Sequence, residues 1–179
     1  MFASIAPNIE VLAETTNMDT VVLSTTEILS ISLDVVDDNV KSGNFDQAKQ
    51  LTKENSEFFS LQVLTLRESN SEITDEIHIL LLDMHNEIKP GNENLVSDNI
   101  ATIKNLLKQF EINSPDYAMA SAVILTIVDE QYQLANKNGE DYRYEVSEKL
   151  LDRVIVLFEK IDFDERLTLE ISDFLVDLK

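Results

Sequence analysis

The residues of this chain able to hold a metal ion or move a proton are few, and they fall in three places. Its two histidines, His78 and His85, stand seven apart. On a helix that spacing is almost two turns, so both point to one side, about 10 Å apart along the axis. Two ligands of one ion need ring nitrogens within about 4 Å, since each bond is only ~2.1 Å. The pair therefore needs groups from another helix before it can share a metal. His85 also lacks the Lys and Gly that follow promptly after a phosphotransfer histidine.

Asp34, Asp37 and Asp38 form the second group. Asp34 and Asp38 are i,i+4 neighbours, and like charges at that spacing cost a few tenths of a kcal/mol on a helix. They lie toward the negative end of the helix dipole, which adds to the cost. A local rule broken in this way marks a candidate site for a cation or a basic partner. The third group is Leu134 to Glu145, which imitates a calcium loop with Gly139 sixth, Asn136 and Asn138 third and fifth, and Glu145 twelfth. Leu134 stands where the first oxygen ligand belongs, and Gly139 has another explanation below. Serines are plentiful, but none sits in a nucleophile elbow or beside a histidine placed to activate it.

The elements that position these residues are announced by glycine. Gly43, Gly91 and Gly139 are 48 residues apart, in Lys41-Ser42-Gly43-Asn44, Lys89-Pro90-Gly91-Asn92 and Lys137-Asn138-Gly139-Glu140. A cation before a glycine suits the C-terminal end of a helix, and glycine takes the left-handed position past the last turn. A fixed period of this length predicts stacked helical hairpins. Apolar stripes at helical spacing fit: Phe45, Ala48, Leu51 and Phe58 or Phe59; Ile73, Ile77, Leu80 or Leu81, Met84 and Ile88; Leu95, Asn99, Ile103, Leu106 and Phe110; Val146, Leu150, Val154, Leu157 and Ile161. Asn44 and Asn92 are the expected N-caps. Leu29 to Val35 alternates apolar and polar as a half-buried strand does, yet its place 48 residues before Ile77 to Asp83 predicts a helix. Tyr117 to Ala135, rich in Ala, Val and Ile, is expected to be the most buried element.

The predicted fold is all-α: one domain over 1–179, with hairpins at about 20–67, 68–115 and 116–163 and a closing helix at about 164–178, arranged as a bundle or a short solenoid. A short helix is expected at Pro7 to Thr15. The longest apolar runs, such as Ile79 to Leu82, are far too short to span a bilayer.

Charge narrows the function classes. Thirty-four acidic against 14 basic residues give a formal charge of −20. Direct nucleic-acid binding needs clustered Lys and Arg and is not expected. Cations and basic protein surfaces are the favoured partners. There is no cysteine, hence no disulfide or thiolate chemistry. The start of the chain lacks a basic n-region, so the expected location is cytoplasmic, or extracytoplasmic if the chain is a processed form.

The phrase Gly43-Asn44-Phe45-Asp46-Gln47-Ala48-Lys49-Gln50-Leu51 resembles the start of the second helix in the soluble extracytoplasmic domain of bacterial and archaeal high-affinity iron permeases, and the similarity runs over Val36 to Leu107. Tetratricopeptide-like helices use a similar phrase. The resemblance implies an extracytoplasmic helical module linked to metal uptake. Arg67-Glu68-Ser69-Asn70-Ser71-Glu72 has one residue more than the permeases' Arg-Glu-x-x-Glu iron motif, so no binding residue is carried over.

The functional expectation is a non-enzymatic acidic helical module that binds a protein partner. The alternatives are a metal carrier or sensor using Asp34, Asp37, Asp38, His78 or His85, and an acidic mimic of nucleic acid. No cofactor is expected. A divalent or ferric cation is the one inorganic ligand in view, and acidic density without a complete ligand set predicts diffuse association only.

Overall fold

The computed structural model describes residues 17–161, and those residues form helices joined by short turns and by one longer link over 108–116. In chain order they are α1 (Met18–Lys41), α2 (Phe45–Glu87), α3 (Glu93–Leu107), α4 (Tyr117–Asn138) and α5 (Asp141–Phe158). The all-α prediction holds. The proposed helices at Pro7 to Thr15 and 164–178 lie outside the described residues.

α2 is two helices in one. Asn70 leaves the helical region, with φ −157° and ψ 102°. Its side-chain oxygen accepts the Ile73 amide at 3.1 Å and its carbonyl accepts the Thr74 hydroxyl at 2.6 Å, so Asn70 caps the second half as it ends the first. The halves fold back on each other. Arg67 pairs with Asp75, His78 meets Ser60, and His85 meets the Lys49 carbonyl, an antiparallel ladder.

Gly43, Gly91 and Gly139 all stand in turns between helices at positive φ (78°, 90° and 69°), where a Cβ would be strained. The three turns are not identical. Gly139 is itself the left-handed cap of α4, donating to the Ala135 carbonyl, whereas Gly43 follows the cap of α1 and Gly91 lies further beyond the end of α2. The helices they join also differ, from 15 residues in α3 to 43 in the kinked α2. The turns are evenly spaced; the units between them are unequal.

α1 decides between bundle and solenoid. In a solenoid each unit touches only its neighbours, but α1 packs against α2, α3, α4 and α5 alike. The fold is a bundle around α1. That position explains the strand-like alternation of Leu29 to Val35: Ile28, Leu29, Leu33, Val35 and Val36 are all buried, as are the polar Ser32 and Asn39. A helix enclosed by its neighbours has no single polar face. The most buried element is therefore α1 and not the stretch Tyr117 to Ala135, whose helix α4 buries one stripe, Ala120, Ser121, Ile124, Ile127, Gln131 and Ala135.

Two further expectations change. In α3 the buried stripe is Val96, Ile100, Ile103 and Leu107, one residue later than the Leu95–Asn99 start read from sequence, and Leu95 is exposed. Asn44 and Asn92 occupy N-cap positions without capping through their side chains. Asn92 instead donates to the Glu87 carbonyl, closing the end of α2. Besides Asn70, side-chain caps are made by Asn17, accepting the Thr20 amide, and Asp116, accepting the Met119 amide.

Candidate functional site

Asp34, Asp37 and Asp38 of α1 each face a lysine. Asp34 pairs with Lys104 of α3, Asp37 with Lys41 at 2.5 Å, and Asp38 with Lys149 of α5 at 3.1 Å. Asp37 also accepts the Ser97 hydroxyl at 2.5 Å. The hydrogen bond from Lys41 to Asp37, with the charge of Asp37 behind it, raises the Lys41 pKa. Lys41 compensates Asp37 from within α1, while Lys104 and Lys149 compensate Asp34 and Asp38 across the bundle. With the Ser97 bond to Asp37, the three carboxylates serve as struts between α1 and its neighbours.

The histidines stay with α2. His78 Nε2 lies 3.2 Å from the Ser60 hydroxyl, with its ring tilted against Phe59. His85 Nδ1 donates to the Lys49 carbonyl at 3.2 Å. Neither is brought to the aspartates of α1. The calcium-like stretch is not a loop: Leu134 to Asn138 end α4, and Asp141 to Glu145 begin α5. Asn136 accepts the Tyr144 hydroxyl at 2.9 Å, and Glu145 pairs with Lys149 at 2.6 Å. Among the described residues, no three His, Asp or Glu side chains are grouped to hold a metal ion.

The richest polar arrangement lies elsewhere. Arg143, at the start of α5, is 3% exposed. Its guanidinium forks onto Glu54 of α2, Nη2 to Oε1 at 2.6 Å and Nη1 to Oε2 at 2.9 Å. Nη1 also donates to Gln131 Oε1 of α4 at 2.9 Å, and Nε donates to Glu140. Burial alone would favour a neutral side chain, but the hydrogen bonds to Glu54 and Glu140 hold the guanidinium protonated and raise its pKa. Burial works against the Glu140 charge too, and the bonds from Arg143 and Asn138 outweigh it, holding Glu140 below the usual carboxylate range. One cation thus joins α2, α4 and α5.

Beside it runs a crevice of about 290 Å³ between α1, α2, α4 and α5. Ile28, Leu51, Phe58 and Ile127 give it apolar walls, and Glu54, Asn55, Glu130 and Gln131 supply polar groups. Burial raises the Glu130 pKa, the Glu54 carboxylate adds to the rise, and Arg143 opposes it. A carboxyl raised in the native state binds its proton more tightly there than in the unfolded chain. Its ionisation therefore costs stability as pH climbs out of the ordinary carboxylate range. Glu130→Gln is expected to raise the melting temperature at pH 7 and to leave it unchanged near pH 4. Paired thermal melts at the two pH values check this, and a lower melting temperature at pH 7 would refute it.

Sequence reading missed this network because its members are distant: Glu54 and Arg143 are 89 positions apart. A usable signal existed in the stripes themselves. Asn55 interrupts the buried row Ala48, Leu51, Thr52, Phe59, and Gln131 interrupts Ile124, Ile127, Ala135. A polar residue on a buried stripe has to find a partner inside the fold.

No family model, curated protein or solved structure matches this chain. Among the described residues, no helix is long and apolar enough to cross a membrane.

Proposed function

We propose that this chain is a non-enzymatic helical module that docks a basic, amphipathic segment of a protein partner. The observation that supports it is a pattern on the two halves of α2. Glu57, Leu61, Leu64 and Glu68 follow 4-3-4 spacing, and so do Glu72, Glu76, Ile79 and Asp83. Residues so spaced share one helix face. Leu64 is 74% exposed, Leu61 65% and Ile79 59%. Solvent-facing leucines bracketed by carboxylates have a natural complement in a helix that alternates apolar and basic turns. Much of the chain's own positive charge is already engaged internally, in the ion pairs of Lys41, Lys104, Arg143, Lys149 and Arg153. The field at the surface is correspondingly negative and draws a cationic partner.

A labelled synthetic Leu/Lys amphipathic helix is the probe, titrated by fluorescence anisotropy at low and at physiological salt. The double variant Leu61→Ser, Leu64→Ser should bind at least tenfold more weakly, since burying a leucine contributes roughly 1.5–3 kcal/mol. Leu95→Ser, exposed on α3, should bind as the parent does. Equal binding by all three proteins would refute docking at α2. An acidic mimic of nucleic acid would instead lose affinity steeply with salt and be indifferent to the leucines.

A further inference from the structure

The crevice beside Arg143 contains two polar groups that have no partner of their own among the described residues. Asn55 is 5% exposed, and its Oδ1 accepts the Ser32 hydroxyl at 2.6 Å. Its Nδ2 is fully buried and reaches no acceptor. A buried amide nitrogen is normally hydrogen-bonded, and an exception calls for a ligand or an ordered water. Glu130, on the α4 side, makes no hydrogen bond or ion pair with any described residue, unlike Glu54, which Arg143 holds in a fork. Between them the walls are hydrocarbon: Ile28, Leu51, Phe58 and Ile127.

These features select a ligand by elimination. An anion is repelled, because Glu54, Glu57 and Glu130 all border the crevice and the chain carries −20 overall. A bare metal ion has only Glu130 as a free charge and gains nothing from the apolar walls. A purely apolar molecule leaves both Glu130 and Asn55 unsatisfied. An ammonium group answers Glu130, and an aliphatic stem answers the walls. A hydroxyl answers Asn55 in either orientation of its amide: it accepts from Nδ2 as placed, or donates to Oδ1 if the amide is turned and Ser32 accepts.

We propose that the crevice is a binding site for a small aliphatic amino alcohol, its ammonium on Glu130 and its hydroxyl on Asn55. The crevice shares Glu57 and Leu61 with the first of the two exposed rows, but Glu130 and Asn55, the groups that would hold the ligand, lie in neither row, so the site stands whether or not the partner reading does. The order of affinity follows from the parts. An ω-amino alcohol of the best-fitting length binds more tightly than the alkylamine of that length, which lacks the hydroxyl. The alkyl alcohol is weaker again, and the ω-hydroxy acid weakest, its carboxylate meeting Glu130.

The test is a titration of the isotope-labelled full chain with 4-amino-1-butanol, 5-amino-1-pentanol and 6-amino-1-hexanol, and with the alkylamine, alcohol and hydroxy-acid counterparts of the best of them. Two-dimensional amide NMR at physiological salt is the readout. The expected result is saturable one-to-one binding of at least one amino alcohol, reported by the side-chain NH2 resonances of Asn55. Glu130→Gln, which removes a charge the fold itself disfavours and so should fold, is expected to weaken that binding at least tenfold. Three outcomes overturn the proposal: no movement of the Asn55 resonances at millimolar ligand, unchanged affinity in Glu130→Gln, or equal affinity for the amino alcohol and the hydroxy acid. Uniform, salt-sensitive shifts spread over surface residues also overturn it, because they report diffuse attraction to an acidic protein.

Discussion

Replacing Arg143 with alanine is expected to destabilise the protein by about 3–5 kcal/mol, the usual cost of removing one partner from a buried ion pair. The size follows from what is left behind. Glu54 and Glu140 lose their shared cation, Gln131 loses its donor, and Glu130 loses the one charge that opposes its raised pKa. Acid should narrow the difference between parent and variant. In the parent, Glu140 is held below the usual carboxylate range. Its contribution is fully present above the unfolded-state pKa and lost as pH falls through the folded-state one. The variant keeps the bond from Asn138 but not that from Arg143 and so has less of this contribution to lose, and protonation relieves the repulsion among its carboxylates. Urea denaturation at pH 7 and near pH 4 reads both effects. Adding Glu54→Gln to the alanine variant should recover part of the loss, giving a coupling energy in a double-mutant cycle. A loss below about 1 kcal/mol at pH 7, in the range of an exposed pair, would show that the network is not a buried one.

Leu33→Ala is expected to cost about 2–5 kcal/mol, the range for a leucine removed from a well-packed core. Leu33 is fully buried on α1, the helix that touches all the others. For a domain of this size each kcal/mol lowers the melting temperature by roughly 2–4 °C. Since α1 supplies a wall of the core to every neighbour, the loss should appear in one transition, with helix content and calorimetric heat changing together. Leu95→Ala is the matched control. The sequence pattern put Leu95 on the buried stripe of α3, but it is 45% exposed, and the change should stay within about 0.5 kcal/mol. Two separate transitions in Leu33→Ala, or equal losses in the two variants, would contradict the packing described.

Local rules were enough for some features and not for others. Glycine at positive φ is required by the backbone alone, so all three turns were legible. Helical periodicity identified the core of α5 and of the second half of α2 because each of these buries a single stripe. The same rule misplaced the start of the α3 stripe by one residue, where Leu95 and Val96 are both apolar and only tertiary packing chooses between them. It also gave α1 a strand-like look, because a helix enclosed on several sides has no period to display. The acidic row of α1 looked uncompensated for a related reason: its counter-ions Lys104 and Lys149 arrive from other helices. Asn44 and Asn92 have the right type for caps, yet the turn geometry gives the Asn92 side chain a different acceptor. The Arg143 network and the crevice were out of reach of any local pattern, the first being assembled from three helices and the second from four.

The central place of α1 has a consequence for how the chain is made. Among the described helices α1 leaves the ribosome first, while its last neighbour, α5, begins only at Asp141. At about 5–20 residues per second, the roughly 100 residues between them take on the order of 5–20 s to synthesise. Throughout that interval a helix destined to be enclosed on several sides lacks its α5 cover. The α4–α5 hairpin, closed by the Gly139 turn, can form from neighbouring residues as soon as it emerges. Completion of the bundle therefore waits on the youngest hairpin docking onto the oldest helix. Until then the nascent chain offers α1 to whatever chaperone attends the tunnel exit.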